Sequence, residues 1–215
     1  PVTETASEPL HYELLLRMYD EGGAIVSPAL FIPAAEHYDL MARIDRWVLC
    51  EALEHQGERI REAGVTVAIN LSAQSLNDPT FVPFVRALVK ASPIPAQRIH
   101  FEITETAAVT HMAAAGKVVQ ALRELGCAVA LDDFGSGLSS FTYLKHFPVD
   151  YVKIDGSFVR AIEASDPDRL IVDSIHTLAH NFGARTIAEY VENPAILERL
   201  RAIGVDYAQG YGIGR

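Results

Sequence analysis

Six short apolar runs in this chain each close on a charged or amide side chain, and helix-length segments separate them. They are Val67-Ala68-Ile69-Asn70, Ile99-His100-Phe101-Glu102, Val129-Ala130-Leu131-Asp132-Asp133, Tyr151-Val152-Lys153, Thr186-Ile187-Ala188-Glu189 and Asp206-Tyr207-Ala208-Gln209. Short apolar strands alternating with helices read as repeated βα units around a parallel sheet. Polar groups at the carboxyl ends of such strands stand where barrel enzymes place their chemistry. Several carboxylates converging there repel one another unless cations neutralise them, so the pattern predicts a divalent-metal site at a barrel mouth.

With 215 residues the chain suits one domain, somewhat short of the roughly 250 that a complete eight-unit barrel needs. Apolar content of 49% with 21% charged residues supports a sizeable core. No apolar run is long enough for a membrane span and no signal-peptide pattern opens the chain, so direct membrane insertion is not expected. Cys50 and Cys127 have no metal-type spacing and read as reduced core thiols of a cytoplasmic domain. The net charge of −10 argues against long nucleic acid as a partner, because affinity for a polyanion comes mainly from Lys and Arg. A small phosphate ligand held through metals is compatible with it.

Residues 1–11 read as an irregular segment cut from a longer chain. Tyr12 to Arg17 is predicted as a strand carrying Glu13, Leu15 and Arg17 on one face: a carboxylate for a cation and a guanidinium for an anion. Ser27-Pro28 and Pro33 are expected to open short helices, and Leu40 to Ala63 one amphipathic helix stopped at Gly64. Further helices are predicted from Asp78-Pro79 (Asp78 as N-cap) and over 113–125, 166–182 and 194–203.

Asp132-Asp133-Phe134-Gly135-Ser136-Gly137 is the sharpest local motif. Adjacent carboxylates can hold two cations, and the small residues after them let backbone approach a ligand. The kinase motifs that would accompany a functional Asp-Phe-Gly are absent. Lys153, on an apolar strand, is a candidate base or water-positioning group, against a purely structural partner for the acids. Glu105 and Glu192 each follow a strand-end glutamate by three residues; they either order the following loop or stabilise a helix N-terminus. His176 and His180 lie one helical turn apart, but Thr177 stands where a metalloprotease needs Glu, so they read as surface or interface histidines. Phe81, Phe84, Phe141 and Tyr143 read as core.

Together, Glu13-Leu14-Leu15-Leu16-Arg17, Asn70-Leu71-Ser72, Glu102-Ile103-Thr104-Glu105, the Asp132–Gly137 motif, Lys153-Ile154-Asp155, Glu189-Tyr190-Val191-Glu192 and Gln209-Gly210-Tyr211 resemble the EAL-domain family of bacterial cyclic di-GMP phosphodiesterases. The resemblance implies a modified TIM-type (β/α)8 barrel spanning 1–215. The family's antiparallel first strand is expected to be missing and the barrel trimmed at both ends. It implies two cations, Mg2+ or Mn2+, with Ca2+ inhibitory. Glu13, Asn70, Glu102 and Asp132 would bind one; Asp132, Asp133 and Glu189 would bind the other, with Asp132 bridging.

By the same resemblance Lys153 would be the base or water-orienting residue, Glu105 would hold the Asp132–Gly137 loop, and Glu192 would be needed for activity. Arg17, Leu15, Asp155 and Gln209 would serve the substrate. Hydrolysis would yield linear pGpG, in a homodimer, with GGDEF, PAS or receiver modules in the same polypeptide, whose other parts are free to be membrane-tethered. Leu14 stands where the family has Ala, Ser136 where it has Thr, Leu138 where Tyr is common, and Tyr190 where Gly is usual. Two competitors remain: a non-catalytic cyclic di-GMP receptor of the same fold, and a glycosidase using Glu102 and Glu189, which leaves Asn70, Asp132, Asp133 and Lys153 without roles.

Overall fold

The computed structural model describes residues 2, 10–137, 144–145 and 147–213. In chain order its elements are His11–Leu14 (β1), Met18–Tyr19 (β2), Ile25–Val26 (β3), Pro28–His37 (α1), Met41–Cys50 (α2), Gly57–Ala63 (α3), Thr66–Leu71 (β4), Ala73–Asn77 (α4), Phe81–Ala91 (α5), Ile99–Thr104 (β5), Glu105–Thr110 (α6), Met112–Glu124 (α7), Ala128–Phe134 (β6), Tyr151–Ile154 (β7), Gly156–Ala161 (α8), Asp166–Asn181 (α9), Arg185–Ala188 (β8), Pro194–Ile203 (α10) and Tyr207–Ala208 (β9). The fold is α/β, as the rhythm of apolar runs predicts. Leu138, Phe141 and Tyr143 lie outside the described residues.

The chain forms two compact units. One comprises Pro9–Glu102 and His111–Ala128. In it β1 pairs in parallel with β4, Glu13 opposite Ala68, and β2 pairs antiparallel with β3. Val67, Ala68 and Ile69 are buried to 2% exposure or less, which accounts for a strand that is apolar on both faces. The other comprises Pro1–Glu8, Ile103–Thr110 and Val129–Arg215. There β6, β7, β8 and β9 lie side by side in parallel. Val129, Leu131, Val152, Ile154 and Ala188 form its buried sheet layer, with Val159, Val172 and Ile175 from α8 and α9 also in the core. Val2 donates its N–H to the Asp206 carbonyl and accepts from Arg201.

Several boundaries differ from expectation. β1 ends at Leu14, so Leu15 and Arg17 follow the strand instead of sharing a face with Glu13, and Arg17 donates to the Leu16 carbonyl. Pro28 and Pro33 belong to one helix, α1, with Pro28 in its first turn and Pro33 inside it. The long helix predicted over 40–63 is broken. After α2 the chain takes a π-helical turn over Glu51–His55 before α3, and Gly57, where α3 begins, packs so closely that a Cβ would lie 2.9 Å from Pro93. Helix α5 begins two residues later than predicted, after Thr80, whose N–H and hydroxyl both donate to Asp78. The helix predicted over 194–203 matches α10, which Asn193 caps by accepting from the Ile196 N–H.

The free thiols behave as core groups. Cys127 is buried, with burial pushing its thiol up to about 12, and Cys50 is half-buried. No helix among the described residues is long and apolar enough to cross a membrane.

Candidate active site

Consecutive side chains on a regular strand point to opposite faces, so Asp132 and Asp133 should diverge. They do not. Between Leu131 and Phe134 the β6 register shifts: these residues pair with Val152 and Ile154 of β7, so β6 spends one more residue than its partner. Asp133 takes up the excess in a left-handed conformation, φ 54°, which Asp tolerates better than most residues, and its N–H donates to Asp132 Oδ1 at 2.9 Å. The bulge brings carboxylate oxygens of Asp132, Asp133 and Glu189 within 4.8 Å of one another.

Lys153 reaches this group from β7. Its Nζ lies 3.0 Å from Asp132 Oδ1 and 2.9 Å from Glu189 Oε1, and the side chain is 1% exposed. One ammonium faces three carboxylates. Glu189 registers the excess: burial, followed by the charges of Asp132 and Asp133 and partly offset by Lys153, pushes its carboxyl up to about 7. The donor set is all oxygen, hard, and short of positive charge, which fits a hard divalent cation.

Glu105 is the first residue of α6, past a β5 that continues through Glu102 to Thr104. It is buried, and its Oε2 accepts the Gly135 N–H at 2.8 Å, while Gly137 lies so close that a Cβ there would be 3.6 Å from the carboxylate. The glutamate therefore braces the turn that follows Asp132-Asp133. Glu105→Ala is expected to free the Gly135 amide and shift Gly135–Gly137 while leaving the acidic cluster in place, destabilising the protein by about 1–3 kcal/mol. Amide exchange at Gly135 and a crystal structure of the variant check this. An unmoved, equally protected turn would remove the bracing role.

The Glu189 loop is shaped by its neighbours. β8 stops at Ala188, and Tyr190 adopts the left-handed conformation that favours Gly, φ 53°. Its ring covers Gly156, where a Cβ would fall 2.2 Å from Tyr190 Cδ2, and the Arg160 guanidinium lies 4.8 Å from the ring centroid. Gly210 lies against the Val191 backbone, where a Cβ would fall 2.4 Å from the nitrogen, while Val191 N–H donates to the Gln209 carbonyl and Gln209 N–H to that of Ala188. Gln209 itself is exposed, as is Glu192, which precedes the capping Asn193; the helix-stabilising part read for Glu192 belongs to Asn193. Asp155 caps α8 by accepting from the N–H of Ser157 at 2.7 Å and from its hydroxyl.

In the other unit, Asn70 Nδ2 donates to Glu13 Oε1 at 2.9 Å, and Glu102 is buried on β5. Asp45, which the sequence reading missed, anchors the end of β4: Oδ2 accepts from Ser72 N–H and from the hydroxyls of Ser72 and Ser75 at 2.6–2.9 Å, and burial raises its carboxyl. A lone acid on the inner face of an amphipathic helix was the available signal. Leu15 and Arg17 are exposed.

A family model described as the EAL domain matches residues 1–215. The chain belongs to the EAL-domain family. Cyclic di-GMP phosphodiesterase PdeB of Shewanella oneidensis is 42% identical to this EAL domain over 213 residues, 98% of the chain and 25% of that protein. Cyclic di-GMP phosphodiesterase PdeF of Escherichia coli is 40% identical over 216 residues, all of the chain and 29% of that protein. The chain thus spans about a quarter of the length of these curated relatives. Among solved structures, the PaMucR phosphodiesterase in complex with c-di-GMP superposes with a TM-score of 0.86 at 31% identity, over 94% of this chain and 83% of that one. The FimX EAL domain from Pseudomonas aeruginosa bound to c-di-GMP gives 0.85 at 33%, over 94% and 81%. The EAL domain therefore has the modified TIM-barrel fold class that the sequence resemblance implies.

Proposed function

We propose that this EAL domain hydrolyses one phosphodiester of cyclic di-GMP to linear 5′-pGpG. The observation that carries the reading is the buried Lys153 bonded to both Asp132 and Glu189 beside Asp133, an oxygen-rich group short of positive charge. A hydrolase needs charge stabilisation where phosphorus is attacked, and a buried cluster of this kind is suited to supply it. The similarity to the cyclic di-GMP phosphodiesterases PdeB and PdeF, and the c-di-GMP in the two related structures, support the same substrate.

Asp132, Asp133 and Glu189 would hold divalent cation, Mg2+ or Mn2+, with Asp132 shared between two ions; Glu13, Asn70 and Glu102 are assigned as further ligands by motif match. When bound, the cations supply Lewis acidity to the phosphate and lower the pKa of water. Water oxygen bonds to phosphorus, the bond to the ribose 3′ oxygen breaks, and the proton that the water gives up ends on that oxygen. Lys153, with its Nζ 3.0 and 2.9 Å from two of these carboxylates, would act as the base or water-orienting residue and offset developing charge. Glu105 keeps the Asp132-Asp133 turn in place, Glu192 is carried over as needed for activity, and Arg17, Leu15, Asp155 and Gln209 contribute to substrate binding. The domain is further proposed to work in the cytoplasm, as a homodimer, within a polypeptide carrying GGDEF, PAS or receiver modules.

Turnover is expected to vanish with excess EDTA, return with Mg2+ or Mn2+, and be inhibited by Ca2+. Cation affinity should strengthen as pH rises through about 7, where Glu189 gives up its proton. The sign for stability is opposite: the raised carboxyl makes Glu189 favour the metal-free fold most below its ordinary value of 4.5, an advantage lost as pH climbs to about 7. Undiminished hydrolysis in chelator would remove the metal-dependent mechanism.

A further inference from the structure

The histidines one turn apart on α9, read from sequence as surface groups, acquire a third partner in the fold. One ring nitrogen each from His176 and His180 and a carboxylate oxygen of Asp206 all lie within 4.8 Å of one another. The two rings are 4.2 Å apart, centroid to centroid. His180 Nε2 is 2.8 Å from Asp206 Oδ2, and His176 Nδ1 is 2.8 Å from Thr186 Oγ1.

The hydrogen bonds fix which nitrogens remain for a ligand. Thr186 Oγ1 has one proton and donates it to Asp206 Oδ2 at 3.0 Å, so toward His176 it accepts. With the Thr186–Asp206 bond in place His176 carries its proton on Nδ1, and in the neutral ring Nε2 keeps its lone pair. An oxygen partner on the other nitrogen is the arrangement that orients metal-ligating histidines. Gly204 borders that nitrogen without crowding it: a Cβ there would still be 3.5 Å away. The Thr186 N–H also donates to Asp206 Oδ2 at 2.7 Å, fixing the carboxylate.

We propose that His176, His180 and Asp206 form a separate binding site for a zinc-class transition-metal cation, at the amino ends of β8 and β9. Two imidazoles at helical i, i+4 spacing plus one carboxylate, with water as the fourth ligand, make a tetrahedral N2O2 set. Such a site holds its ligand atoms about 3.3 Å apart, so the His180–Asp206 contact opens by roughly half an ångström, which the exposed His180 ring accommodates by turning. The donors differ from the all-oxygen group at Asp132, Asp133 and Glu189, which suits harder cations. Thr186 lies on β8 and Glu189 directly follows its last residue, so the backbone positions that serve the two sites are about 10 Å apart. A bound cation would tie α9 to β8 and β9.

Copper(II) and zinc are the probes, each added alone to the protein with its carboxylates saturated by Mg2+. Electron paramagnetic resonance of the copper form is expected to show superhyperfine coupling to two imidazole nitrogens in the parent, to one in His180→Gln, and to none in His176→Gln/His180→Gln. Competition with a metallochromic chelator is expected to show zinc binding at least tenfold weaker in His180→Gln. His180 is exposed, so its replacement leaves the core untouched, and the parent spectrum needs no variant at all. An oxygen-only parent spectrum, a two-imidazole pattern that survives in the double variant, or equal zinc affinity in parent and His180→Gln would each overturn the site.

Discussion

Lys153→Ala is expected to reduce cyclic di-GMP hydrolysis by about a thousandfold or more while cyclic di-GMP still binds within a few-fold of the parent affinity. In the proposed mechanism Lys153 acts where charge develops on the phosphate, so its loss would fall on the transition state more than on ground-state binding. The same change has a structural signature. Lys153 is almost wholly buried between Asp132 and Glu189, and deleting it leaves two buried carboxylates without their cation. Breaking a buried pair in this way typically destabilises by about 3–5 kcal/mol. The metal-free variant should therefore melt well below the parent, and Mn2+ should recover much of the difference. Lys153→Met, which keeps the volume, separates the missing charge from the missing packing. Single-turnover kinetics beside calorimetric binding make the test; near-parental turnover in Lys153→Ala would remove the lysine from the mechanism.

Asp132→Asn should be at least as damaging to turnover, and more damaging than Asp133→Asn. Asp132 is the buried member of the adjacent pair and the one bonded to Lys153, whereas Asp133 is exposed. If Asp132 is shared between two cations, its amide weakens both, and Mn2+ titration should show a loss at each step. Asp133→Asn should weaken only one, and because Asn accepts the left-handed conformation as readily as Asp, the bulge should survive. In both variants the metal-free fold is expected to persist, since fewer negative charges then surround Glu189. Equal metal occupancy in Asp132→Asn and the parent would rule out the shared role.

The residues at Asp132, Lys153 and Glu189 were legible as a group because strand-end acids on parallel strands have few structural explanations. Helix α10 was legible because Asn193-Pro194 and Gly204 bracket it in the manner that starts and stops helices. The bulge at Asp133 was not legible: periodicity reports that two acids are adjacent, not that the strand spends an extra residue to bring them together. Tyr190 left its loop open because the solution lies 34 positions away in Gly156, whose missing side chain makes room for the ring. Gly57, which opens the helix after the break, is likewise closed in by a tertiary neighbour, Pro93. Asp206, 26 residues from His180, joins the histidines only once β8 and β9 lie side by side. Local chemistry was readable; contacts made by tertiary proximity were not.

The most direct measurement is chromatography of cyclic di-GMP after incubation with the protein and Mg2+ or Mn2+, alongside a binding titration of the same preparation. Stoichiometric conversion to 5′-pGpG, continuing over many turnovers, is the expected result. Saturable binding of cyclic di-GMP with the nucleotide recovered intact in the presence of metal would contradict it and leave a receptor.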